Sequence, residues 1–229
     1  MAKLSVILPT YNERENLPEL IAQIRRLPIE VECVIVDDNS PDGTGELADQ
    51  LASTDPLIKV IHRPRKAGLA SAVYAGLSKA SAPYVAVMDA DLQHPPHLLT
   101  QMLQALEDGY DVVVASRYVR GGGVVGWPLL RYIISRVATL LAHLTIPRSR
   151  VIKDPMSGYF ALKREVLESV RINLSIGYKL LLVILVKGRY FKIKEVPMVF
   201  RRRLKGESKL TQKEILTYLK LLINLLKQR

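Results

Sequence analysis

The chain has 229 residues, 48% of them hydrophobic and 24% charged, with a formal net charge of +11. That is enough chain for one large domain or two small ones with a sizeable core, and too apolar for a disordered protein. The single cysteine, Cys33, excludes an internal disulfide framework and a cysteine-based metal centre. The charge points to phosphorylated small molecules or anionic lipid rather than to nucleic acid, since aromatics are only 6% and no helix-turn-helix, RRM or zinc-finger signature is present.

The start, MAKLSVILPTYNERE, turns polar too soon for a signal peptide. KLSVILP predicts a strand and residues 15–27 a helix. VECVIVDD predicts a strand and residues 44–53 a helix; IKVIH predicts a strand and GLASAVYAGLSKA a helix. YVAVM predicts a strand, residues 96–107 a helix and DVVVAS a strand. Continuous Val/Ile runs, each followed by a helix, indicate an α/β fold with a mostly parallel sheet covered on both faces. Ligands in such folds bind beyond the carboxyl ends of the strands. The segments to examine are therefore PTYNE, DDNSPDGT, DADLQH and SRYVRGGG.

The second half reads differently. Residues 128–145 predict an amphipathic helix, with Leu130, Ile133, Ile134, Val137, Leu140, Leu141 and Leu144 in helical period. SGYFALKREVLESV predicts a strand entering a short helix, IGYKLLLVILVKG a buried helix and YFKIKEVPMVF a strand, followed by the basic loop RRRLKGESK. No stretch reaches the roughly 18 apolar residues of a membrane span. YKLLLVILV is too short, and GWPLLRYIISRVATLLAHLTI carries Arg131, Arg136 and His143. Thr211 and Glu214 have capping-box spacing and start a last helix. Its polar residues Lys213, Thr217, Lys220, Asn224 and Lys227 form one narrow stripe. So wide an apolar face suits a membrane surface or a partner helix; the alternative is docking onto the protein's own core.

The chemistry concentrates at the predicted strand ends. Asp89, Asp91 and Gln93 alternate, and in extended chain they would face one side about 6.5 Å apart. Two carboxylates and an amide are hard oxygen donors suited to Mg2+ or Mn2+; the bland reading is an acidic turn before a helix. Asp37 and Asp38 end the second strand, where a carboxylate such as Asp37 can accept from the N–H groups of a base. Gly43, Gly45 and Ala48 spell GxGxxA, but they follow the second strand and no acidic residue lies about 20 positions on, so the glycines read as turn formers. No GxxxxGK[ST] loop is present. Of the four histidines only His94 lies near the acidic motif, and before Pro95 it reads as a helix-start residue.

Seven segments appear in order: VILPTYNERENLPEL, VIVDDNSPDGT, GLASAVYAGL, VMDADLQHPP, ASRYVRGGGVVGW, DPMSGYFALKREVL and GESKL. Together they resemble the polyprenyl-phosphate mannosyltransferases (dolichyl-phosphate mannose synthases) of the inverting GT-A glycosyltransferase family 2. The resemblance covers essentially the whole chain. RGGGVVGW, DPMSG and GESKL are the segments more specific to the lipid-phosphate branch. It implies a GT-A catalytic domain over 1–209, which includes the helix at about 128–145, and a C-terminal amphipathic membrane-surface helix over 210–229. It further implies that Pro9, Tyr11, Glu13, Asp37 and Gly68 bind the donor nucleotide. Asp89, Asp91 and Gln93 would hold Mg2+ or Mn2+, and Arg117, Arg131, Arg202 and Lys209 would meet the donor and acceptor phosphates. Arg201 and Arg203 read as solvated surface.

The implied partners are GDP-mannose, dolichyl or another polyprenyl phosphate, a membrane surface and a small transmembrane subunit of the kind some relatives use, at the cytoplasmic face of a membrane. Other relatives continue into transmembrane helices. The pattern departs at Val183, where the family usually carries a carboxylate; the helix is then purely structural or the activity impaired. Rival readings are glucosyl transfer from UDP-glucose to a lipid phosphate, transfer to a carbohydrate hydroxyl, and a non-catalytic membrane-associated nucleotide-sugar sensor. An acceptor that is already an anion needs little or no general base, which fits the lack of an obvious one.

Overall fold

The structure is a computed structural model that describes residues 2–66, 68–170, 179–201 and 212–227. Four βα units and a fifth strand open the chain as the apolar runs predict: β1 Leu4–Thr10, α1 Leu17–Arg25, β2 Val31–Asp37, α2 Thr44–Thr54, β3 Ile58–His62, α3 Leu69–Lys79, β4 Tyr84–Val87, α4 Leu98–Glu107 and β5 Val112–Ser116. Gly43 precedes α2 with φ +81°, a left-handed turn that glycine adopts without cost, so the turn-former reading of this glycine stands. The second half contributes β6 Gly123–Val124, α5 Leu129–Thr145, β7 Phe160–Lys163, α6 Arg164–Glu168, α7 Leu180–Lys187, β8 Ile193–Pro197, β9 Val199–Phe200 and α8 Gln212–Lys227.

The main sheet runs β3-β2-β1-β4-β7-β5-β8. All neighbours are parallel except β7, which lies antiparallel between β4 and β5. The segment YFKIKEVPMVF is not one strand. Met198 N–H still donates to the Ser116 carbonyl of β5 at 2.8 Å, but its own carbonyl accepts from Gly123 N–H, and from there β9 pairs with β6 in a small second sheet.

Alternate residues of each strand feed two cores. Leu4, Val6 and Leu8 join Cys33 and Ile35 beneath α1 and α4, while Ile7, Val34 and Val36 face α3, α7 and the far helices. In α7 every residue from Leu180 to Leu185 is buried, and Val183 is 1% exposed inside this core. Six apolar side chains, each worth about 1.5–3 kcal/mol on burial, make α7 a core element. Val183 does not line the cavity described below, which fits the structural reading of this helix.

α8 docks in part onto the protein's own core, the alternative stated for it. Tyr218, Leu221, Leu222 and Leu225 are buried in the core, and the Tyr218 hydroxyl donates to the Ala138 carbonyl of α5 at 2.6 Å. Ile215, Leu216, Leu219, Ile223 and Leu226 remain exposed. An apolar face wider than one contact can cover leaves the remainder to the outside. Among the described residues no helix is long and apolar enough to cross a membrane.

Beneath the amino-terminal end of the sheet, Glu32 is buried. It accepts from the Ser5 and Ser81 hydroxyls and the Ser81 amide and pairs with Lys59. Burial opposes its charge, but the bonds from Lys59, Ser5 and Ser81 outweigh that and hold its carboxyl at about 2, against an ordinary 4.5. A depressed carboxyl stabilises the fold fully above its unfolded value, and that contribution is lost as pH falls toward the folded value. Urea midpoints measured across this window should fall more steeply with acid in the parent than in Glu32→Gln. The variant should also be less stable at neutral pH by about 2 kcal/mol, the range of a charged hydrogen bond.

Candidate active site

Strand order reverses between β1 and β4. The connections leaving their carboxyl ends therefore run in opposite directions along the sheet, and the crevice this leaves is where such sheets bind ligands. A cavity of about 650 Å3 opens there. Its polar end is built from the end of β1 and the loop after it (Pro9, Thr10, Tyr11, Glu13), the start of α3 (Gly68, Leu69) and the loop after β4 (Asp89, Asp91, Gln93, His94). Arg117, Arg131 and Lys179 line it from the second half. Its other end is apolar, between Ile133, Ile134, Val137 and Leu141 of α5 and Ile215 and Leu219 of α8.

The acidic motif is not in extended conformation, so the reasoning from strand alternation does not hold. β4 ends at Val87, and Leu92 takes φ +61°. For a side chain other than glycine that costs roughly 1–2 kcal/mol, and Leu92 is held there by packing against the core below. The turn buries Asp91 (3% exposed) and leaves Asp89 more open, yet both still line the cavity. Asp91 Oδ1 accepts the Gln93 amide at 3.1 Å. The Gln93 side-chain amide donates to the Arg201 carbonyl at 2.7 Å, which ties this loop to the end of β9.

Among the described residues no group of three His, Cys, Asp or Glu side chains gathers as a metal site. The oxygen donors present are the two carboxylates and the Gln93 amide oxygen. Such a set fits a hard cation that keeps most of its coordination for phosphate oxygens and water, as Mg2+ and Mn2+ do, rather than one caged by protein.

His94 is buried. Its Nδ1 accepts the Asp89 amide at 3.0 Å, and its ring stacks on Tyr159 at 5.1 Å and meets Phe200 edge-on at 5.4 Å. The chain of rings continues from Phe200 to Trp127, whose ring lies 4.2 Å from the Arg131 guanidinium carbon. These aromatic contacts connect the acidic loop to the basic wall. From sequence His94 reads as a helix-start residue; in the structure it braces the backbone of Asp89.

Arg117 is also bound more tightly than a phosphate-seeking side chain needs to be. Asp154 accepts from its backbone N–H at 3.0 Å, its Nε at 2.8 Å and one terminal nitrogen at 2.7 Å. Burial works against the charge, but the Asp154 bonds prevail and hold the guanidinium above its ordinary range. Asp154 is set in turn by Glu195 of β8, which accepts the amides of Lys153 and Asp154.

Asp37 does not line the cavity. Its carboxylate accepts from the Thr10 hydroxyl and from the Ser40 amide and hydroxyl, and so shapes the loop. Asp38 is the carboxylate of this pair that reaches the cavity, and it pairs with Arg63 at 3.1 Å. Tyr11 carries the Lys66 ammonium 4.1 Å over its ring, and Glu13 accepts from the Asn16 amide. Arg202, Lys209 and Arg203 lie outside the described residues. Sequence reasoning passed over Lys66, Trp127, Asp154, Lys179 and Phe200, and placed Asp38 at the strand end without a role. DPMSG, which holds Asp154, and RGGGVVGW, which holds Trp127, stand among the shared segments and were the available signal.

The strand order, the switch-point cavity and the carboxylate pair define a GT-A-type α/β fold. Solved structures agree. Glucosyl-3-phosphoglycerate synthase from Mycobacterium tuberculosis, in complex with Mn2+, UDP-glucose and phosphoglyceric acid, superposes with a TM-score of 0.72 at 20% identity over 99% of this chain and 80% of that one. A mannosyltransferase from Pyrobaculum calidifontis, in complex with GDP-Man and Mn2+, superposes at 0.63 with 20% identity over 90% and 58%. The model of glycosyl transferase family 2 matches residues 5–171, and the chain belongs to that family. It is 48% identical to a dolichol-phosphate mannosyltransferase of Pyrococcus furiosus over 98% of its own length and 64% of that protein's. It is 39% identical to a polyprenol monophosphomannose synthase of Mycolicibacterium smegmatis over 92% and 82%.

Proposed function

We propose that the protein transfers mannose from GDP-mannose to a polyprenyl monophosphate, dolichyl phosphate included, with inversion and at a membrane surface. The observation that carries this is the cavity's two-ended character. One continuous space joins a carboxylate-and-arginine pole to an apolar throat, and throat residues Ile133, Ile215 and Leu219 are themselves 47%, 42% and 40% exposed. A substrate with an anionic head and a long hydrocarbon tail matches both ends. The relatives named for dolichol-phosphate and polyprenol-phosphate mannosyl transfer support the same reading.

In this mechanism Pro9, Tyr11, Glu13 and Asp38 receive the nucleoside, with Asp37 shaping their loop. Asp89 and Asp91, with Gln93 beside them, hold Mg2+ or Mn2+, which when bound offsets charge on the departing diphosphate. Arg117 and Arg131 orient the acceptor phosphate, and the expected contacts of Arg202 and Lys209 would add to them. A phosphate oxygen attacks the anomeric carbon, the new C–O bond forms on the face opposite the nucleotide, and GDP leaves with the electron pair of the broken bond. No proton need be removed from the nucleophile. This agrees with His94, the one histidine among the described lining residues, using Nδ1 to hold Asp89. The exposed apolar faces of α5 and α8 would rest on the bilayer and let the tail stay in lipid. A small transmembrane partner remains part of the reading.

Turnover of the purified chain with Mn2+, GDP-mannose and a polyprenyl phosphate should give a β-linked mannosyl phosphate. No product in the presence of lipid acceptor would overturn the reading. Calorimetry should show GDP-mannose binding more tightly than UDP-glucose; the reverse order would replace the donor.

A further inference from the structure

A second cavity, of about 350 Å3, lies against the first, with Arg117 in the wall of both. Tyr118, Gly122, Tyr132 and Arg136 complete the part that matters. A Cβ at Gly122 would stand 2.5 Å from the Ser116 carbonyl oxygen, so only glycine lets this turn fold back so closely beside the pocket. The Arg136 guanidinium carbon lies 4.5 Å from the centre of the Tyr118 ring. That ring is fixed by a hydroxyl contact to Ser135 at 2.7 Å and by Tyr132 edge-on at 6.5 Å.

The charge at this pocket has no local balance. Arg117 is matched by Asp154, whereas no ion pair among the described residues includes Arg136. From Val112 to Lys153 the chain has seven Lys or Arg residues and no Asp or Glu. Arg136 and Tyr132 also stand at the border of the exposed apolar stripe of α5, beside Leu129, Ile133 and Val137. An arginine and a tyrosine at the margin of an apolar face place their polar ends at headgroup level. The guanidinium fork matches phosphate oxygens.

We propose that this pocket holds the phosphodiester headgroup of an anionic membrane phospholipid, as a second phosphate site separate from that of the acceptor. The bound lipid would set how α5 lies on the bilayer, and with it where the throat opens. The inference rests on the reading that α5 meets a membrane.

The test is co-sedimentation of the full chain with vesicles of phosphatidylcholine alone and of phosphatidylcholine mixed with phosphatidylglycerol. The parent should bind both and prefer the anionic vesicles. Arg136→Gln should lose about fivefold on anionic vesicles, as expected for one basic contact near the surface, and nothing on neutral ones. Its melting temperature and its transfer to detergent-dispersed polyprenyl phosphate should be unchanged. Arg136→Lys separates a built site from diffuse attraction. The fork-specific pocket predicts a loss approaching that of Gln, and parental binding by Lys overturns it. Inorganic phosphate that binds the parent but not Arg136→Gln, with no difference on vesicles, would mark a free-anion site and also overturn the proposal. If the parent binds neither vesicle, the membrane reading of α5 fails with it. If the parent binds and Arg136→Gln matches it, only the headgroup pocket fails.

Discussion

Asp91→Asn should lower the proposed mannosyl transfer by at least about a thousandfold while leaving the protein folded. Asparagine has the shape of aspartate and keeps an oxygen to accept the Gln93 amide, the bond that Asp91 Oδ1 makes here. The turn through Leu92 therefore has no reason to collapse. On the proposed reading, the variant would lose one of the two carboxylates at the cavity that could meet a divalent ion. Stabilisation of a leaving diphosphate by a divalent ion is worth several kcal/mol, and each 1.4 kcal/mol is a factor of ten in rate. The independent readout is calorimetry of Mn2+ with GDP. The variant should bind the pair far more weakly than the parent, with a melting temperature close to the parent's. Parental turnover, or an unchanged Mn2+ titration, would mean that the cation is held elsewhere.

How much of this was readable from the chain differs by kind of signal. The parallel strands were legible because strands buried on both faces must be apolar throughout, and Val/Ile runs such as VECVIVD and VVVAS leave little choice. The place of β7 was not. Its antiparallel insertion between β4 and β5 depends on pairings 73 to 79 positions away in β4 and 46 to 50 away in β5, and nothing in FALK encodes which strands it will find. In the site, Asp89 and Asp91 stood out by composition, but their orientation was misjudged. Extended geometry was assumed for a segment that turns at Leu92, and a positive φ at leucine has no sequence mark. Asp37 and Asp38 could not be told apart, because which of two adjacent carboxylates faces the cavity is decided by Thr10 and Ser40 capturing the first. In α8, Lys220 and Asn224 of the polar stripe are exposed, but so is much of the apolar surface beside them, because a surface that wide admits both a core contact and an exposed one.

The Arg117–Asp154 pair is the least legible feature of the site, with partners 37 positions apart, and it carries the largest expected effect on stability. Arg117 is 9% exposed at its side chain and Asp154 fully buried. Removing Asp154 leaves a guanidinium that is buried and unmatched, and breaking a buried pair from one side costs about 3–5 kcal/mol. Against a total stability of about 5–15 kcal/mol, Asp154→Ala should move the urea midpoint far down. The cost should come mostly from the orphaned charge, so a second substitution, Arg117→Met, should restore part of it. The double variant is then expected to be more stable than the sum of the single effects by about 1–3 kcal/mol. Transfer should be lost in all three variants, since the guanidinium would be either absent or no longer aimed by its fork. Additive stabilities would mean that Asp154 acts through the loop it shares with Glu195 rather than through Arg117. Strong transfer in Asp154→Ala would mean that Arg117 keeps its aim without the carboxylate. The outcomes separate because unfolding reads the pair's charge balance, whereas turnover of the folded fraction reads the direction in which Arg117 points.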